Sequence, residues 1–181
     1  MSTPAQPVST QNFVQAMGQH VASVCVITAR HGEELYGLTA TAVSSVCADP
    51  PRLLVCVNKS GQTHQKIIAS GHFGVNVLGE AQEKVGRAFA GMLGRDFDRF
   101  SIGDWQTLQT GSPLLNGAAS VFDCRITETI DQFTHSIFIG EVVATAVNTA
   151  DEALVYAGRK FRTLRKVTLA PMEEGMESLH F

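Results

Sequence analysis

From Val21 to Val147 the chain alternates short runs of β-branched and apolar residues with turn residues, and no long amphipathic helix separates them. A parallel crossover needs a dozen or more residues, usually a helix, so strands joined this way pair antiparallel with near neighbours. The runs predict strands over Val21–Ala29, Leu35–Val46, Leu53–Val57, Phe73–Leu78, Ala118–Ile130, His135–Val147 and Ala153–Tyr156. His31-Gly32 supplies a turn, and Asp49-Pro50-Pro51 must end a strand because proline cannot donate to a ladder. Within Leu35–Val46 the period of two puts Leu38, Ala40 and Ala42 on one face and Thr39, Thr41 and Val43 on the other. The same period sets Phe122, Cys124 and Ile126 against Asp123, Arg125 and Thr127. Helices are expected from a Ser9 or Thr10 cap to His20, over Thr63–Ala69 and over Glu80–Ala90. Gly91–Gly111 is a long irregular stretch. The expectation is a mainly β fold, an antiparallel barrel with a few short helices; closure removes exposed strand edges.

The chain has 181 residues, enough for one domain with its own core. Single-domain organisation over 1–181 is expected, with a core over about 13–166 and terminal extensions at 1–10 and 170–181. In the tail, Met172, Met176 and Leu179 are candidates to pack across a dimer. A net charge of −3 argues against a nucleic-acid partner, which selects for a basic excess. No run approaches the roughly 18 apolar residues of a membrane span. Met1–Gln11 lacks an apolar signal core, so no membrane is expected and a cytoplasmic location is. Cys25, Cys47, Cys56 and Cys124 form no CxxC pair, and the histidines form no HxH or HExxH pattern, so no metal site is expected.

No GxGxxG follows the first strand, no phosphate-binding P-loop occurs, and neither GxSxG nor SxxK is present. Redox chemistry would therefore come mainly from a bound cofactor. Four segments are candidates. Gly37–Ser45 carries small residues and hydroxyls: a flat ring can lie close to such a strand, with Thr39 and Thr41 bonding its polar edge, or the threonines face water on a tight barrel strand. Asn58–Thr63 follows an apolar strand and opens a helix; it is an anion site at a helix N-terminus with Lys59 nearby, or a capping turn built on Ser60 or Thr63. His135 begins an apolar strand where a ring nitrogen either faces a cleft or serves the fold. Tyr156–Arg162 concentrates positive charge among aromatics, either beside an anionic ligand or as a solvated face.

In order and spacing these segments resemble the flavin reductase-like family, whose members include reductase components of two-component flavin-dependent monooxygenases. The resemblance runs from about Phe13 to Leu164. Its carriers are the 37–46 segment, Asp49-Pro50-Pro51, Leu54–Asn58, Phe73–Leu78, Arg99-Phe100, Gly111–Leu115, Phe133-Thr134-His135, Ile139–Val142 and Tyr156–Arg159. The resemblance implies an FMN-binding split barrel with Greek-key topology, a homodimer, and a flavin near the subunit interface. It implies an NAD(P)H-dependent flavin reductase: NADH or NADPH reduces FMN or FAD, and the reduced flavin passes to a separate oxygenase. By position Thr39, Ala40 and Thr41 would line the ring, with Ser44, Ser45 and Val46 flanking it. Asn58, Ser60 and Thr63 would hold the ribityl chain and phosphate, Arg95, Arg99 and Arg159 would add charge, and His135 would be the catalytic residue at the nicotinamide. The chain departs from the family pattern at Phe133, where relatives carry glycine, and at Phe161, where many carry tyrosine. Other outcomes implied by the same barrel are reduction of another acceptor, such as a corrinoid or a pyrimidine-degrading oxygenase, or a non-enzymatic flavin- or haem-binding module. A structural interaction protein is the remaining reading.

Overall fold

The computed structural model describes residues 7–149 and 152–164. The expected tail over 170–181, with Met172, Met176 and Leu179, lies outside the described residues. The main body is a seven-stranded, wholly antiparallel sheet. Its members are β2 (Cys25–His31), β3 (Glu34–Ala40), β4 (Val43–Ala48), β5 (Pro51–Asn58), β6 (His72–Val77), β9 (Ser120–Gln132) and β10 (His135–Val147), in the order β3-β2-β6-β9-β10-β5-β4. The two edge strands, β3 and β4, are consecutive in sequence and joined only by Thr41-Ala42. That short link curls the sheet onto itself, giving the split barrel of the expected mainly β class.

The link also corrects the expectation of one strand over Leu35–Val46. Thr41-Ala42 leaves the ladder, and the chain resumes against β5, on the far edge. The interruption reverses the alternation. Val43, expected on the threonine side, packs with Leu38 and Ala40 against the interior cluster. That cluster fills the barrel with Cys25, Ile27, Leu53, Val55, Val57, Phe73, Val75, Cys124 and Phe138, plugged by Ile67 of α2 (Gln62–Ser70). Cys25 and Cys124 are reduced core thiols, and burial pushes both up to about 12; Cys47 is exposed.

A second cluster covers the outer face. Val24, Val26, Leu78 and Val121 meet α3 (Glu83–Phe89) through Val85, Ala88 and Phe89. Phe89, Phe100 and Trp105 form a ring cluster with centroids 5.0–5.4 Å apart, so the irregular stretch after α3 is held by aromatic packing. Two short strands lie in or after that stretch, β7 (Trp105–Gln106) paired with β8 (Leu114–Leu115). The segment over 109–115 is fastened by polar groups buried in the wall. The Asp123 carboxylate accepts from the amides of Gln109 (2.7 Å) and Thr110 (2.8 Å) and from the Thr110 hydroxyl. Asn76 accepts from the Leu115 amide (2.6 Å), and Thr28 donates to the Pro113 carbonyl (2.5 Å). Asp123, Asn76 and Thr28 are all fully buried.

At the N-terminus, Ser9 caps α1 (Thr10–Met17), accepting from the Asn12 amide at 3.2 Å. A small sheet pairs β1 (Ala22–Ser23) with β11 (Val155–Ala157) and β11 with β12 (Lys160–Arg162). Gly158 and Arg159 both have positive φ, the requirement of a two-residue hairpin turn whose twist matches its strands. Tyr156–Arg162 is therefore a structured hairpin. Among the described residues no helix is long and apolar enough to cross a membrane.

Candidate active site

A cleft of about 510 Å³ opens where β3 leaves the sheet. It is lined by Leu38, Thr39, Ala40, Thr41 and Ala42, by Asn58 and His135, and by the apolar side chains of Phe89, Met92, Tyr156 and Phe161. Ladder register brings Asn58 and His135 together, because they are the terminal pair between β5 and β10. The hairpin that carries His135 is tied to the neighbouring loop by the Lys59 amide donating to the Thr134 carbonyl at 2.9 Å. Thr134 Oγ1 lies 2.9 Å from His135 Nδ1, so Nε2 is the ring nitrogen open to a ligand. Among the described residues no Asp, Glu, Lys or Arg lines the cleft.

The β3 wall of the cleft is thin for a structural reason. A Cβ at Gly37 would stand 2.5 Å from Cε1 of Phe89, so only glycine lets α3 pack this close to β3. The same packing engages Thr39: its hydroxyl donates to the Gly86 carbonyl on α3 at 2.7 Å. Thr39 thus presents backbone, and not a free hydroxyl, to the cleft; Thr41 is exposed on the link between β3 and β4. The sequence puts Gly37 at the head of the small-residue run, but carries no signal that Phe89 and Gly86 of α3 pack against it.

The loop after Asn58 leads into α2. Asn58 Oδ1 accepts from the Ser60 amide at 2.9 Å, and the N-cap is Gly61, which has no side chain to bond the first-turn amides. Neither Ser60 nor Thr63 caps this helix, so its N-terminus keeps the anion-binding character of uncapped amides. The positive charge expected from Lys59 is already partnered, with Nζ 3.2 Å from Asp131 Oδ1. Behind that pair lies a buried relay. The Ser136 hydroxyl has one proton and donates it to Asp131 Oδ1 at 2.7 Å. His64 Nε2, 2.9 Å from Ser136 Oγ, must then be the donor to it. Burial, aided by Lys59, lowers the His64 pKa and favours the neutral ring. The Ser136 hydroxyl and Lys59 hold the Asp131 carboxyl below its ordinary range.

The remaining candidates lie elsewhere. Ser44, Ser45 and Val46 line a separate, larger cavity of about 680 Å³ formed with Val21–Ser23 and Arg52; Thr41 borders both spaces. That cavity lacks Asn58 and His135, so size alone does not make it the active site. Arg99 donates to the Gly37 carbonyl at 3.3 Å and braces the thin wall from behind. Arg95 is exposed on the loop. Arg159 lines a surface groove against α1, away from Asn58 and His135. Phe133 is 96% exposed at the hairpin tip with φ of 46°.

Residues 17–165 match the family described as the flavin reductase like domain. The chain belongs to that family. An FMN reductase (NADH), RutF, of Stutzerimonas stutzeri is 40% identical over 158 residues, covering 87% of this chain and 90% of the relative. The NADH:FAD oxidoreductase SgcE6 of Streptomyces globisporus superposes with a TM-score of 0.80 at 33% identity, over 91% of this chain and all of that one, and has also been solved with NAD and FAD fragments. The styrene monooxygenase flavin reductase of Pseudomonas putida gives 0.76 at 28% identity, over 86% and 99% of the two chains.

The cleft fits a flavin by its own chemistry. Its volume falls within the usual range for small-ligand sites, its wall is low and uncharged, and an uncapped helix start lies just beyond Asn58. Backbone groups of Thr39–Ala42 would hold the ring, and Ser60, Thr63 and the first amides of α2 the phosphate.

Proposed function

We propose that this chain is an NADH-dependent reductase that takes FMN, and passes the reduced flavin to a separate oxygenase. The observation that carries the reading is the cleft itself: the run from Thr39 to Ala42 lines one cleft with Asn58 and His135. Relatives up to 40% identical over most of their length are FMN reductases using NADH, which favours FMN and NADH. The styrene monooxygenase flavin reductase supports an oxygenase as recipient. A homodimer and a cytoplasmic location, where NADH is supplied, complete the reading.

The chemistry a bound flavin supplies is acceptance of a hydride from the nicotinamide. The chain contributes position and polarity. Backbone amides of Thr39–Ala42, which line the cleft, would donate to the ring's polar edge and stabilise the negative charge that reduction brings. Phe89, Tyr156 and Phe161 exclude water from the apolar part of the cleft. His135, with Nδ1 engaged by Thr134, orients the nicotinamide through Nε2, and no side chain needs to exchange a proton with the hydride. Ser44, Ser45 and Val46, which line the neighbouring cavity that shares Thr41, would flank the ring from that side.

The test is anaerobic titration with NADH of the protein plus FMN, and separately plus FAD, followed by flavin absorbance. Bleaching of FMN at catalytic protein concentration is expected, with FAD slower. Loss of colour with neither flavin refutes the reading; equal rates refute the preference for FMN.

A further inference from the structure

We infer that Asp131 is an affinity-setting counter-charge: it holds Lys59 away from the flavin phosphate and so keeps flavin binding loose enough for release. The inference rests on the reading that the phosphate sits at the Asn58–Thr63 loop. Lys59 is the cation of that loop, between Asn58 and Ser60. Its ammonium is 3.2 Å from Asp131 Oδ1, and the side chains keep 33% and 74% of their exposure. A pair so open to water contributes little to folding. Yet the carboxylate does not float. Ser136, fully buried, donates to it at 2.7 Å, and His64, nearly buried, donates to Ser136 at 2.9 Å. Ser136 and Asp131 are cross-strand partners in β10 and β9, so the ladder sets the carboxylate's place. Two buried polar groups thus aim an exposed carboxylate at the loop's cation. Such an arrangement lowers the positive potential offered to a phosphate and repels the phosphate directly. A reductase that must part with its reduced flavin needs only a modest grip, and phosphate attraction is the component a nearby anion can trim without disturbing the ring pocket.

The experiment compares FMN with riboflavin, which has the ring but no phosphate, by flavin fluorescence titration. The proteins are the wild type, Asp131→Asn, Lys59→Met, the double variant, and Ser60→Ala/Thr63→Ala. Asn keeps an oxygen to accept from Ser136, so the hairpin is preserved. Asp131→Asn should lower the FMN dissociation constant by roughly three- to tenfold at low salt, with the gain shrinking at about 0.5 M salt. Riboflavin affinity should stay within about twofold, and Lys59→Met should reduce the gain in the double variant to the smaller part that comes from lost direct repulsion. A purely structural role for Asp131 would weaken both flavins. Unchanged or weaker FMN binding in Asp131→Asn, or equal tightening of riboflavin, overturns the proposal. If that result accompanies a weakened Ser60→Ala/Thr63→Ala, the phosphate site stands and only the counter-charge role falls. If Ser60→Ala/Thr63→Ala binds FMN as the wild type does, the phosphate lies elsewhere and both fall.

Discussion

Replacing Asp123 tests how the outer segment over 109–115 is held. The carboxylate is fully buried and receives three donors: the amides of Gln109 and Thr110 and the Thr110 hydroxyl. A hydrogen bond to a charged group is worth roughly 1.5–3 kcal/mol net. These three share the desolvation of one carboxylate, and the Gln109 side of the loop is open to water, so their sum overstates the loss. About 3 kcal/mol is expected for Asp123→Ala, which strands two amides and leaves Thr110 without its acceptor. Asp123→Asn should cost only about 1 kcal/mol, because its amide oxygen still accepts both backbone donors and its NH₂ can turn to Thr110. In a chain of this length the alanine variant should lose about 6–12 °C in midpoint temperature. Urea unfolding at fixed protein concentration, with equal slopes for all three proteins, measures the difference. An alanine variant within about 1 kcal/mol of wild type, or an asparagine variant as damaging as alanine, would refute the reasoning.

Three further outcomes are expected. Thr39→Val should cost about 1 kcal/mol through loss of the bond to Gly86, with FMN affinity within about twofold; a tenfold weaker titration would put that hydroxyl on the ligand instead. Phe133→Gly should be more stable than Phe133→Ala by about 0.5–1 kcal/mol, since both delete an exposed ring but only glycine relieves the positive φ; thermal unfolding of the pair decides, and alanine as the more stable variant rejects the strain. His135→Ala should lower kcat/KM for NADH roughly tenfold or more, about 1.4 kcal/mol of transition-state binding; an unchanged value removes His135 from the nicotinamide site.

The strongly patterned elements were legible within a residue or two. Ser9 caps its helix, β4 stops just before Asp49-Pro50, and β6, β9 and β10 lie over the predicted runs. Asn58 and His135, named from separate segments, face one cleft with Thr39–Thr41. What escaped was whatever depends on contacts distant in sequence. The Leu35–Val46 run has an unbroken period, and nothing local says that Thr41-Ala42 leaves one edge for the other. Asp123 alternates onto the nominally polar face, yet a loop over a dozen residues away buries it. β7, β8 and β12 are too short to show a pattern and exist through their partners.

Composition, turn residues and alternation determined the class of this protein, antiparallel and mainly β, because backbone pairing and side-chain period are local properties of the chain. Motif order pointed further, to the family and to segments that line the candidate cleft. Tertiary structure decided which groups are free to act. It committed the Thr39 hydroxyl to α3 and Arg99 to the Gly37 carbonyl, left α2 uncapped, and set Asp131 against Lys59. A hydroxyl or a charge has only a few partners, and the fold chooses them by bringing together residues that the sequence keeps tens of positions apart.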